Sequence, residues 1–85
     1  MDFVRRTQME NKQAICDALC EALRLTDNAG TGNKLKELKY IKDKEVVRPI
    51  FEDGTGEDGW YDINVACDSG SAMIVDIAKW IRRMW

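Results

Sequence analysis

The stretch WYDINVACDSGSAMIVDIAKWIRRM, Trp60 to Met84, changes its hydrophobic period halfway along, and that change decides the fold. Tyr61, Ile63, Val65 and Cys67 alternate with Asp62 and Asn64, the two-residue period of a strand with one buried face. From Met73 onward the apolar residues fall at Met73, Ile74, Ile77, Ala78, Ile81 and Met84. That is helical spacing, with Asp76, Lys79, Arg82 and Arg83 on the wet side. The pattern predicts a strand over about 60–67 and a helix over about 71–84. Asp68, Ser69 and Gly70 stand at the hand-over, where Asp or Ser caps free N–H groups, the Asp68 charge suits the positive helix end, and Gly70 permits a sharp turn.

Upstream lies EDGTGEDG, Glu52 to Gly59, with three glycines and four acids, which reads as an exposed hairpin loop. Before it, Val46 to Phe51 is β-branched and apolar. Its Pro49 cannot donate to a ladder, which places this strand at a sheet edge or a bulge. Lys42-Asp43-Lys44-Glu45 reads as a polar turn, and Leu35 to Ile41 as a short Lys-rich strand with Leu38 and Tyr40 on one face. TDNAGTGN, Thr26 to Asn33, consists almost wholly of turn formers. A first helix is expected over about 8–25, opened by a capping box from Thr7 to Glu10 and carrying Ile15, Ala18, Leu19, Ala22 and Leu23 as its apolar stripe, with Cys16 and Cys20 on the border. The expected fold is therefore α+β, in the order α-β-β-β-α. Its sheet is a three-stranded antiparallel meander with two helices packed on one face.

The chain has 85 residues, 45% hydrophobic and 33% charged, and is expected to form a single small domain, residues 1–85. It contains no apolar run long enough to span a membrane and no secretory leader, so no membrane partner and a cytoplasmic location are expected. Cys16 and Cys20 sit one helical turn apart and Cys67 leaves the count odd, so free thiols are expected. The net charge of −2 is unevenly spread, +2 over residues 1–50 and −4 over residues 51–85.

Most catalytic schemes fail on residue type. With no histidine, Ser-His and Cys-His nucleophile pairs are excluded, as is a His-ligated metal. The string CDSGSA resembles the Asp-Ser-Gly loop of a dimeric aspartic protease acting through Asp68. That fold is all-β, however, and the fifteen residues after Gly70 have helical periodicity. Asn28 to Lys34 lacks the spacing of a phosphate-binding loop. A zinc site from Cys16, Cys20 and Cys67 would need Asp17 or Asp68 as a fourth ligand and lacks the usual spacing. Asp53, Thr55 and Glu57 alternate as in a calcium loop, but Asp58 and Asn64 stand where an EF-hand requires Gly and Glu. No cofactor is expected, and the chain reads as a non-enzyme.

Surfaces remain. Lys34, Lys36, Lys39, Lys42 and Lys44 could track phosphates while Tyr40 stacks on a base, which makes nucleic-acid binding the second reading. Against it, Glu37, Asp43 and Glu45 interrupt the run, and lysines on an edge strand also serve to discourage sheet-to-sheet pairing. The first reading is a protein partner or a homodimer. It uses the acids Glu52, Asp53, Glu57 and Asp58 together with Trp80, Arg82, Arg83 and Trp85 at the C-terminal end, residue types that interfaces favour there. In size and element order the chain looks like some small phage and mobile-element proteins, among them α/β anti-CRISPR inhibitors that present acidic faces to the DNA-binding grooves of host nucleases. The six acids from Glu52 to Asp68 are compatible with such mimicry, for which a net charge of −2 is modest. A regulatory or inhibitory module is what this resemblance implies.

Overall fold

A computed structural model describes residues 11–26, 34–66 and 68–84. The capping box at Thr7 to Glu10, most of the TDNAGTGN stretch, Cys67 and Trp85 lie outside the described residues. The elements are α1 (Lys12–Arg24), β1 (Leu35–Ile41), β2 (Val46–Phe51), β3 (Ile63–Asn64) and α2 (Gly70–Met84). This is the α-β-β-β-α order, with the sheet antiparallel throughout and ordered β1-β2-β3.

Helix α1 starts later than the expected position 8. Asn11 has non-helical dihedrals (φ −110°, ψ 29°) and its carbonyl accepts the first helical bond, from Ile15 N–H at 2.9 Å. Cys16 and Cys20 are its buried residues, so the core meets the helix along the cysteine line, with Ile15, Leu19 and Leu23 packed beside it. The polar turn after β1 closes through Glu45 N–H on the Lys42 carbonyl at 3.2 Å.

Pro49 does not put β2 at an edge. The strand is central, and Pro49 lies opposite Leu38 of β1. Glu52 N–H bonds toward β1, on the Lys34 carbonyl at 2.8 Å, whereas Phe51 N–H bonds the other way, to Thr55 O at 2.9 Å. By strand alternation the position of the missing Pro49 N–H also faces away from β1. On that side β2 pairs with β3 only at Val46 and Val47, so no ladder bond is lost. A bulge between Leu35 and Glu37 makes Lys36 the extra residue of β1.

The third strand is far shorter than the expected 60–67. Its alternation survives as burial, since Ile63 and Val65 are buried and Asn64 is exposed. Pairing fails on both sides of it for local reasons. Asp62 N–H closes a turn onto the Gly59 carbonyl at 3.1 Å, and the Asn64 side chain accepts Ala66 N–H at 2.9 Å. Val65 N–H still reaches the Glu45 carbonyl at 3.0 Å, one residue beyond the strand.

The core joins Cys16 and Cys20 of α1, Leu35, Leu38, Val47, Phe51, Ile63 and Val65 of the sheet layer, and Met73, Ile77 and Ile81 of α2. Both helices therefore cover the same sheet face. The alternate strand residues Glu37, Lys39, Ile41, Val46 and Arg48 point to the other face and stay partly or wholly wet, while Ile50 among them is closed over. No described helix is long and apolar enough to cross a membrane.

Candidate functional site

Between β2 and β3 the acidic segment is not an open hairpin tip but a chain of turns. Gly54 N–H bonds to Phe51 O (2.9 Å), Glu57 N–H to Gly54 O (3.3 Å), and Gly59 N–H to Gly56 O (3.0 Å). Gly56 fixes this path. Its φ is +94°, and a Cβ there would fall on the Pro49 carbonyl oxygen, so the loop lies directly against the open side of β2. Two of the acids shape the loop from within: Asp53 Oδ1 accepts Thr55 N–H at 2.9 Å and Asp58 Oδ1 accepts Trp60 N–H at 3.0 Å. Hydrogen bonds from the Thr55 side chain and backbone hold the Asp53 carboxyl below its ordinary pKa.

At its downstream end the loop is tied to β2. Arg48 donates to both oxygens of Asp62, at 2.9 and 3.1 Å, a forked ion pair with each side chain less than one-fifth exposed. Asp62 is thereby neutralised. Glu52, Asp53, Glu57 and Asp58 remain as the exposed acids.

These turns enclose an open groove of about 340 Å³, floored by Gly54, Thr55 and Gly56 and walled by Glu57, Asp58, Trp60 and Tyr61. Trp60 is 81% exposed. Expected in a strand, it instead stands on a turn with its indole in water. The signal that would have found it is the Asp58-Gly59-Trp60 triplet, an Asx turn that ends any strand before Ile63. Tyr61 is half-buried and meets Trp80 of α2 edge to face, with ring centroids 5.6 Å apart. Trp80 packs against the core, so of the expected C-terminal surface Arg82 and Arg83 are exposed and Trp80 is a core-side support.

The lysines form no comparable site. Lys34, Lys36, Lys39, Lys42 and Lys44 are all exposed, as are the interleaved Glu37, Asp43 and Glu45. They are spread from one end of β1 to the other, with Lys34 beside the acidic loop through the Glu52 bond and Lys42 and Lys44 in the opposite turn. Tyr40 is half-buried against the core, and Lys12 Nζ sits 5.5 Å from its ring centroid. The ring already carries a cation.

At the strand-to-helix hand-over, Ser69 Oγ accepts Ala72 N–H at 3.2 Å and the Ser69 carbonyl accepts Met73 N–H at 2.9 Å, the position of an N-cap. Asp68 does something else. Its Oδ2 is buried without a donor, and the carboxyl faces Asp76 two turns into α2. Hydrogen bonding to Asp76, burial and repulsion from Asp76 raise its pKa, opposed by Lys12. A proton shared between the two carboxyls satisfies the orphaned oxygen. The all-β fold that the aspartic protease reading requires is not this fold.

Cys16 and Cys20 are buried free thiols, and burial, with Asp17 and Cys20 nearby, pushes Cys16 up to about 12. Among the described residues, no group of three or more Cys, Asp or Glu side chains could hold a metal ion. Comparison with protein families, with characterised proteins and with solved structures finds nothing that matches this chain.

Proposed function

We propose that the protein is a non-catalytic interaction module that presents its acidic loop, residues 52–62, to a basic surface on a partner protein. The observation that carries this reading is Trp60, which is 81% exposed beside a groove whose walls include Glu57 and Asp58. A tryptophan left in water forfeits a large apolar area that a partner can cover, and it is the residue type most enriched among binding hot spots. The surrounding acids select the partner's charge. They steer a lysine- or arginine-bearing face toward the loop and repel acidic ones. A protein face that ordinarily meets nucleic acid has that charge pattern, which makes inhibition by mimicry the regulatory form of the same activity. Reduced, buried Cys16 and Cys20 suit the cytoplasm.

The nucleic-acid reading has less support, because Tyr40 is committed to the core and to Lys12 and offers no free face for a base. One titration separates the two. Isotope-labelled protein is mixed in turn with a peptide rich in lysine and arginine and with single-stranded and duplex oligonucleotides, and amide shifts are followed. The expected result is salt-sensitive movement of residues 54–61 and of the Trp60 indole with the peptide alone, abolished by Trp60→Ala. That variant should change stability by less than about 0.5 kcal/mol, as befits a surface site. Movement of Lys36, Lys39 and Lys42 with an oligonucleotide, and none with the peptide, would reverse the conclusion.

A further inference from the structure

β1 is a sheet edge, and one side chain closes it. Residues Leu38 and Tyr40 lie opposite Pro49 and Val47, and two of their backbone groups are turned away from β2. Gln13, in the first turn of α1, donates from Nε2 to the Leu38 carbonyl at 3.0 Å and accepts the Tyr40 N–H on Oε1 at 2.7 Å. A carbonyl at one position and an N–H two residues on are the pair that a neighbouring strand engages with a single residue of its own. The carboxamide of Gln13 thus stands where the peptide group of a fourth strand would stand. Its second N–H goes to Asp17 Oδ1 at 2.8 Å, which fixes the orientation of the amide and leaves it fully used.

We infer that Gln13 is a latch over a strand-docking edge, and that the strand it holds off is β1 of a second copy of this chain. The choice of occupant follows from charge. When two β1 strands run antiparallel about a two-fold axis at Leu38, each Leu38 N–H meets the other Leu38 carbonyl, and each Tyr40 N–H is directed at the other strand near Lys36. The Leu38 carbonyl and the Tyr40 N–H are the two groups Gln13 occupies. In the same register Glu37 of each copy lies opposite Lys39 of the other, giving two favourable cross-strand pairs. A shift that set Lys39 against Lys39 would place like charges together, so the lysines of this edge select one pairing instead of forbidding all. The opposite sheet edge, the two-residue β3, is too short to compete. This inference is independent of the acidic loop and its partner.

The test is Gln13→Ala, followed by light scattering over a concentration series and by hydrogen exchange at the Tyr40 amide. The wild type should protect that amide at all concentrations. In Gln13→Ala the amide should exchange about tenfold faster or more when dilute, and the solution mass should rise above that of the wild type as concentration increases, with protection returning in step. Adding Glu37→Lys should abolish the extra association, and adding Lys39→Glu as well should restore it. A folded Gln13→Ala with the wild-type mass at every concentration overturns the inference, as does association indifferent to the Glu37 and Lys39 exchange. Should that variant fail to fold, Gln13→Glu keeps the acceptor for Tyr40 and loses the donor to Leu38, and the same two readouts decide.

Discussion

Asp68 shows how far a single side chain's role depends on a neighbour distant in sequence. Its position between strand and helix reads as a cap, and Ser69 in fact receives the capping bond while Asp68 faces Asp76. Nothing in a local motif announces a contact over eight residues, because it depends on how the chain enters α2. The consequence is a specific pH dependence. The Asp68 pKa is raised in the fold, so the folded state is favoured by protonation: the contribution is fully present below the unfolded value of about 3.9 and is lost as pH rises through the folded value. Asp68→Asn supplies a neutral group permanently and should raise the melting temperature at pH 7 by a few degrees, with the gain vanishing in acid. Melting curves for both proteins between pH 3 and 7 decide it, and an equal or lower melting temperature for the variant at pH 7 removes the shared proton from the account. Asp53 has the opposite sign, since its lowered pKa favours the fold above about 3.9 and that contribution is lost as pH falls through the folded value.

At the scale of elements, β1 and β2 were legible because their β-branched and aromatic residues are bounded by turn formers on both sides. The helices were legible because an apolar stripe persists over three turns or more. The third strand was the clearest alternation in the sequence and became the shortest element. Alternation records which side chains are buried, and Ile63 and Val65 are, but strand length depends on backbone partners. The turns ending at Asp62 and starting at Asn64 take those away. The candidate site was half legible: its acids were evident, whereas Trp60 was assigned to the strand and the groove depends on a contact with Pro49 that no pattern displays. That contact makes the loop an element in its own right. Gly56→Ala would force a Cβ onto the Pro49 carbonyl at a φ of +94° and should cost about 2 kcal/mol or more. It should also weaken partner binding by displacing Trp60. Urea unfolding measures the first effect, and unchanged stability would mean the loop does not rest on β2 as described. Gly54, with open space at its Cβ position, is the control, where only the cost of its own positive φ of +89° is expected.

For the molecule as a whole, the core is one cluster shared by five elements, and its opening should be a single event. Cys16 and Cys20 report it. Both are buried, and Cys16 is a poor nucleophile at about 12, so alkylation must await unfolding. Peptide-resolved labelling with iodoacetamide should show the two thiols modified at one common rate that climbs with urea alongside the global transition. Modification of Cys16 in native buffer at the speed of an ordinary exposed thiol would show that α1 opens by itself. The two-layer plan has a further consequence for how such a chain can change over generations. Both helices lie on one sheet face, so every second strand residue, Leu38, Val47 and Ile63 among them, is locked by packing. Lys39, Ile41 and Val46 face outward and answer to few neighbours. Mutational tolerance therefore runs with a period of two along the sheet, and a lineage can rewrite the charge of that outer face residue by residue while inheriting an unaltered interior.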